Sequence, residues 1–212
     1  VKKIMFFGGT GQAKVMRSLA DSVGKLMAVL DHTCDMYAPF DDVDFYNGQF
    51  CYDEWKQNTP DFREYYFVVT IGNPHGKVRQ QLSKKLINDG LKPISLIHPT
   101  SIIEDSATIG SSVQIHAGAY IGSFSKVSDF CIINTKSSVD HECQLGSGVE
   151  VAPGAILCGE VVVGENTWIG AGSVVKERLK IGKNVIVGCG STIINDISDN
   201  KVIVETKSKR EL

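Results

Sequence analysis

From residue 103 to residue 193 every sixth position is aliphatic: Ile103, Ile109, Ile115, Ile121, Val127, Ile133, Val139, Leu145, Val151, Leu157, Val163, Ile169, Val175, Ile181, Val187 and Ile193. Ile, Leu and Val together make up 53 of the 212 residues, so chance gives such a register with odds on the order of 10⁻¹⁰. A period of six fits neither an α-helix nor simple strand alternation. It needs one short strand and one turn per hexad, with every sixth side chain returning to the same interior column and three hexads closing one triangular coil. Two positions earlier the side chain is small at Ala107, Ala119, Ser125, Cys131, Ser137, Cys143, Ala155, Thr167, Ser173 and Ser191, as a second inward position near a corner requires. Seven of the residues that follow an aliphatic are glycine (110, 122, 146, 164, 170, 182 and 188), which is expected to ease tight turns. The pattern predicts a parallel β-helix of about five coils over roughly 100–194, with Cys131 and Cys143 filling its core.

Residues 2–97 carry a different pattern. Lys3 to Phe7 reads as a short buried strand, Gly8-Gly9-Thr10-Gly11 as a turn, and Gln12 to Val23 as a helix with Val15, Met16 and Leu19 on one face. Leu26 to Leu30 is a second strand ending at Asp31. Tyr66 to Ile71 is another, followed by a turn at 72–74 and a helix carrying Val78, Leu82, Leu86 and Ile87, and Ile94 to Ile97 is expected to close the sheet. Strand, glycine turn, helix, strand is a half-Rossmann arrangement. Its ligand site lies beyond the strand C-termini at the first helix N-terminus, where a phosphorylated or nucleotide ligand would be held. Lys14 stands where the dinucleotide fingerprint wants its third glycine, which argues against a full NAD site.

Composition sharpens the division. Of 17 aromatic residues, only Tyr120, Phe124, Phe130 and Trp168 lie beyond residue 100, as a narrow core of uniform aliphatics demands. The net charge is −2 with a sequence pI of about 6.2, so there is no electrostatic footprint for nucleic acid or an anionic membrane. No stretch approaches a membrane span, and the apolar run Ile4 to Phe7 is far shorter than a signal peptide's apolar region. The six cysteines form no CxxC pair and read as reduced thiols, pointing to a cytoplasmic protein.

A β-helix has no cleft of its own, so catalytic groups are expected at outward or corner positions, with sites between neighbouring copies. The segment Asn134 to Cys143 is the most chemically loaded. Val139 faces inward, which sends Asp140 outward and puts His141 at the adjoining corner. A neutral imidazole suits general-base work when a carboxylate accepts its other N–H, and either Glu142 or Asp140 could supply that carboxylate. His98 reads as structural, His116 follows an inward residue, and His32 and His75 lie in α/β loops where a ligand could sit. With only His116 and His141 inside the repeats and no Asp/Cys cluster beside them, no metal site is expected.

The glycine turn, Leu96-Ile97-His98-Pro99, the hexads and Ser137-Ser138-Val139-Asp140-His141-Glu142-Cys143 together resemble the sialic acid O-acetyltransferase and bacillosamine N-acetyltransferase group, bacterial sugar acyltransferases of the hexapeptide-repeat kind. The resemblance runs from Lys2 to about Val204. It implies a nucleotide-sugar-binding α/β domain over 1–98, a left-handed β-helix acyltransferase domain over 99–196, and a C-terminal tail over 197–212. It also implies a homotrimer that transfers acetyl from acetyl-CoA to an amine on a nucleotide-linked 4-amino-4,6-dideoxyhexose in bacterial surface-glycan (O-antigen) biosynthesis. By that likeness His141 is the base, Glu142 tunes it, and Gly159 offers a backbone donor to the oxyanion. Gly11, Gln12, Ala13, Asp31 and His32 match nucleotide-sugar contacts, with His75 nearby and Asn134 at the sugar. Ala171 and Cys189 match positions lining the CoA channel. Relatives often place histidine where this chain has Gln12 and Glu150, the latter beside CoA, and Glu205-Thr206-Lys207-Ser208 replaces the family's Gly-x-Pro-Ala turn, leaving Lys207, Lys209 and Arg210 either as contacts to the CoA phosphates or as a charged end. O-acyl transfer and a non-catalytic nucleotide-sugar module are the alternatives.

Overall fold

The computed structural model describes residues 1–72 and 74–204. The tail residues Lys207, Lys209 and Arg210 lie outside the described residues. The first unit contains β1 (Lys3–Phe7), α1 (Gly11–Val23), β2 (Lys25–Asp31), β3 (Asp44–Asn47), α2 (Cys51–Asn58), β4 (Tyr66–Val69), α3 (Gly76–Asn88) and β5 (Lys92–Pro93). Its sheet is parallel with order β3-β2-β1-β4-β5, so the order reverses between β1 and β4. A parallel sheet is covered on both faces and its strands are apolar throughout. Ile4 and Phe6 of β1 accordingly pack with Ala13, Met16 and Ala20 of α1, whereas Met5 and Phe7 face Tyr52, Trp55 and Leu86 from α2 and α3.

Two helix faces differ from the hydrophobic reading. In α1 the buried stripe is Ala13, Met16, Leu19 and Ala20, and Val15 is exposed. In α3 the buried residues are Gly76, Arg79, Ser83 and Leu86, while Val78 and Ile87 are exposed. The reason is that α3 packs on the second unit as well as on its own sheet. Gly76 lies against it so closely that a Cβ would meet the Gly148 carbonyl oxygen at 2.3 Å.

The second unit is a left-handed parallel β-helix of two-residue strands arranged in three faces. The first face has seven strands, from Leu96–Ile97 to Val202–Ile203; the second has six, from Ile102–Ile103 to Thr192–Ile193; the third has five, from Thr108–Ile109 to Lys180–Ile181. Leu96–Ile97 therefore does not close the α/β sheet. It pairs with Gln114–Ile115 as the first rung of the β-helix, and Lys92–Pro93 is the edge strand beside β4. The hexad aliphatics form one interior column with Cys131 and Cys143 among them. Burial pushes those two thiols up to about 12 and about 11, which keeps them protonated.

The glycines after each aliphatic have a different use from the one expected. None has a positive φ. A Cβ at Gly110, Gly122, Gly146, Gly164, Gly170 or Gly182 would strike backbone atoms of the next coil at 2.4–2.8 Å. They permit close stacking of coils at the corners. The left-handed backbone falls two residues later, at every sixth residue from Ser112 to Gly190, and includes Phe124, Phe130, Lys136, Glu142, Glu160, Asn166, Arg178 and Asn184. Among the described residues no helix is long and apolar enough to cross a membrane.

Candidate active site

A cleft of about 550 Å³ opens where the sheet order reverses, between the β1 and β4 ends and the first face of the β-helix. Gly8, Gln12, Asp31, His32, His75, Asn134 and Glu150 are among its lining residues. The α1 N-terminus enters from one side. Lys14 N–H bonds to Thr10 O at 3.3 Å, the first amide of the helix to bond inside it, so the amides of Gly11, Gln12 and Ala13 present the open donors of a helix start. Ala13 can act only through that amide, because its side chain is buried in the core.

Several lining groups already hold protein partners. Asp31 Oδ2 accepts Gly9 N–H at 2.7 Å and Oδ1 accepts Thr33 N–H at 2.8 Å, which fixes the loops on both sides of the cleft. His32 packs edge-on against Phe7, and His75 caps α3 by position without a side-chain bond to it. Asn134 Oδ1 accepts Thr135 N–H at 2.8 Å, leaving its NH₂ to donate. Gln12 Nε2 donates to Gln114 Oε1 at 2.8 Å and lies 2.9 Å from His116 Nε2.

Arg79 was not indicated by the hydrophobic pattern. Its fully buried guanidinium donates to Phe130 O (Nε, 2.7 Å), Ile71 O (Nη1, 2.7 Å) and Gly148 O (Nη2, 2.8 Å), and Nη1 lies 3.8 Å from Glu150 Oε2. Burial lowers its pKa and the Glu150 charge opposes that shift. The only sequence signal for this residue was an arginine at the i+3 position from Gly76 on a helix whose apolar residues do not form a clean stripe. Glu150, expected beside CoA, is turned instead into the cleft. Its strand belongs to the first face, which the α/β unit covers, so its outward side chain meets Arg79 and the Gly72 loop.

His141 stands elsewhere, at the corner between the second and third faces, and is half exposed. Its Nδ1 lies 3.2 Å from Glu142 Oε2, and its backbone N–H donates to Asp140 Oδ1 at 2.7 Å, so Asp140 supports the turn and Glu142 addresses the ring. The ring covers Gly159 in the next coil: a Cβ there would lie 2.4 Å from His141 Nε2, so any larger residue would displace the ring. Cys158 N–H donates to Val175 O and Glu160 N–H to His141 O, which leaves the Gly159 amide between them outside the ladder. A ring nitrogen and a residue whose N–H is outside the ladder thus lie side by side.

Ala171 and Cys189 lie at the corner between the first and second faces, the corner that also carries Asn134. Beside them Gly154, Gly172 and Gly190 form a column with positive φ and no atom within 4 Å of where a Cβ would stand. This bare strip fits a long flexible arm laid along the prism. In one chain the whole second face separates it, and the cleft, from His141. The outward residues of that face include Ile102, Tyr120, Ile156 and Val174, three of them large and exposed, whereas the third face presents Thr108, Lys126, Gln144, Val162 and Lys180.

Residues 160–195 match the family described as bacterial transferase hexapeptide (six repeats). The chain is 38% identical over 104 residues, 49% of its length, to the GDP-perosamine N-acetyltransferase of Escherichia coli O157:H7, covering 46% of that protein. It is 36% identical over 121 residues, 55% of its length, to the UDP-N-acetylbacillosamine N-acetyltransferase of Bacillus subtilis (strain 168), covering 52% of that protein. These matches span about half the length of either relative. The crystal structure of PerB from Caulobacter crescentus in complex with CoA and GDP-perosamine superposes with a TM-score of 0.82 at 29% identity, over 95% of this chain and 93% of that one. The chain thus carries a segment that matches the bacterial transferase hexapeptide model and is similar along nearly all of its length to a protein solved in complex with CoA and GDP-perosamine.

Proposed function

We propose that the protein is an acetyl-CoA-dependent N-acetyltransferase acting on a nucleotide-linked 4-amino-4,6-dideoxyhexose in bacterial surface-glycan biosynthesis, working in the cytoplasm as a homotrimer. The observation that carries the chemistry is the His141–Glu142 pair with Nε2 packed over Gly159, whose amide is outside the ladder. Glu142 accepts a hydrogen bond from Nδ1–H and so leaves Nε2 with the basic lone pair. Nε2 takes the proton of the sugar amine as its nitrogen attacks the thioester carbonyl, and the Gly159 N–H donates to the oxygen that becomes negative. Collapse breaks the carbon–sulfur bond, and the proton held on His141 passes to the departing CoA sulfur.

The cleft supports a directional reading of the acceptor. The α1 amides suit the diphosphate at the centre, Asp31, His32 and Thr33 line the nucleoside end, and Asn134 and Glu150 line the end toward the β-helix, where the sugar lies. The CoA arm runs along the bare strip beside Ala171 and Cys189, and its adenosine end lies beyond it. His141 reaches these groups only from a second copy, whose arrival would also cover the apolar second face. Sedimentation should therefore give the mass of three 23.1 kDa chains, and a monomer in solution would defeat the shared site. The activity is tested by thiol release from acetyl-CoA with UDP-, dTDP- and GDP-linked amino-deoxysugars. Turnover in one nucleotide class that is lost in His141→Ala is expected. No turnover by folded wild type, or turnover only with sugars that lack the amine, counts against N-acetyl transfer.

A further inference from the structure

The two units are fastened to one another by buried polar groups that stand outside the lining of the cleft. Gln114, on the first face and fully buried, donates from Nε2 to the Val69 carbonyl at 2.9 Å and accepts from Gln12 Nε2 at 2.8 Å. It ties the β-helix to the end of β4 and to the first turn of α1. Arg79 fastens the opposite wall. Its guanidinium takes the carbonyls of Phe130 and Gly148, which lie 18 residues apart and so in adjacent coils, together with that of Ile71 in the loop that lines the cleft. Its backbone N–H donates to His75 O at 2.9 Å, so the cleft residues Ile71, His75 and Val78 all belong to the stretch that this one side chain anchors.

Between these fastenings backbone meets backbone. A Cβ at Gly76 would stand 2.3 Å from Gly148 O, and one at Gly148, where φ is +73°, would stand 3.0 Å from Gly76 O. With glycine on both sides and a hydrogen-bonded fastening at each flank, the units have one close-packed seating. On the nucleotide-sugar reading that seating acts as a length. The nucleoside and diphosphate lie on the first unit, at Asp31, His32, Thr33 and the α1 amides, whereas the sugar has to reach Asn134 on the second. A displacement of about an ångström is enough to break a hydrogen bond at the far end.

We propose that the joint between α3 and the β-helix sets the span of the cleft, with Arg79 and Gly76 as positioning residues that hold Asn134 where the sugar of a nucleoside diphosphate hexose meets it. This inference rests on the nucleotide-sugar reading and adds that part of the selectivity for the sugar resides in residues that do not line the cleft. Calorimetry on the full chain tests it, with GDP, UDP and dTDP against GDP-mannose, UDP-glucose and dTDP-glucose as probes. For the nucleotide class that binds, the wild type holds the sugar conjugate more tightly than the bare diphosphate. Gly76→Ala wedges a methyl group into the joint, and Arg79→Lys keeps the cation without the planar fork that serves three carbonyls at once. Each variant, shown to be folded by circular dichroism, lowers the conjugate-to-diphosphate affinity ratio by about three- to tenfold, the range of one neutral hydrogen bond, and keeps its affinity for the bare diphosphate within about twofold of wild type. A contribution to stability alone would leave that ratio where it was. A ratio unchanged in either folded variant, or a wild type in which the sugar adds no affinity, overturns the inference while leaving nucleotide binding intact. Absence of binding by every probe to the folded wild type overturns the nucleotide-sugar reading itself.

Discussion

In and behind the cleft, Asp31, Gln12, Asn134 and Arg79 all hold protein partners that set their orientation, whereas at the second-to-third-face corner His141 and Glu142 touch one another across 3.2 Å and are both about half exposed. One region is preorganised by the joint between two units; the other, on the proposed reading, is half of a site. Binding specificity can be fixed inside a single chain because the α/β unit and the first face bury polar groups against each other. On the proposed reading the reactive groups sit where a second chain would bring them to the substrate, and an exposed His–Glu pair of this kind adds little to stability.

The largest effect that would separate the two regions is His141→Ala. It should lower acetyl transfer by about 10²-fold or more while calorimetry shows nucleotide binding unchanged, because no lining residue of the cleft moves; loss of both together would merge the regions. The next tests the joint. Arg79→Met leaves Glu150 and three carbonyls without their buried cation and should cost about 3–5 kcal/mol in urea unfolding, far more than His141→Ala, which should leave stability nearly unchanged. Comparable midpoints for the two variants would remove Arg79 from its place at the joint.

A third effect depends on pH. His116 is held neutral in the folded state at a pKa of about 4, below the 6.5 of an exposed histidine. Between those values the unfolded chain binds the extra proton, so stability is full above about 6.5 and falls toward pH 4, by up to about 1.4 kcal/mol per unit. Urea titrations across that window should show the slope in wild type and a shallower one in His116→Gln; equal slopes would place the sensitivity elsewhere. The smallest effect is Glu142→Gln, which retains an acceptor for Nδ1–H but not its charge. It should reduce kcat about tenfold with little change in KM, and a pure KM effect would assign Glu142 to binding.

How much of this could be read beforehand differs between the regions for a physical reason. The β-helix column repeats locally, so Ile103 to Ile193 reveal it without knowledge of distant contacts, and His141 with Glu142 follows from sitting two and three residues beyond inward Val139. The glycines after the aliphatics were legible as a pattern but not as a cause, since the atoms they avoid belong to the next coil. The strand Asp44–Asn47 and the helix Cys51–Asn58 lacked a sufficient periodic signal. Arg79 and the inward turn of Glu150 were illegible because both depend on how α3 meets the first face, a contact between segments 51 or more residues apart. Leu96–Ile97 was apolar in either role, and only its partner decided which sheet it joined.

The left-handed column every sixth residue also bears on mutation. Glu142 belongs to it, with φ of 57°, a conformation that Asn, Asp and Gly accept and β-branched side chains resist. The backbone therefore filters what can replace the partner of His141 before chemistry does. Asp passes both filters, keeping a carboxylate one methylene shorter; Asn and Gly pass the first alone; Val, Ile and Thr pass neither. Variation at this position is channelled by the geometry of the coil, and the neighbouring histidine inherits a partner whose range of replacements was narrowed by the need to turn a corner.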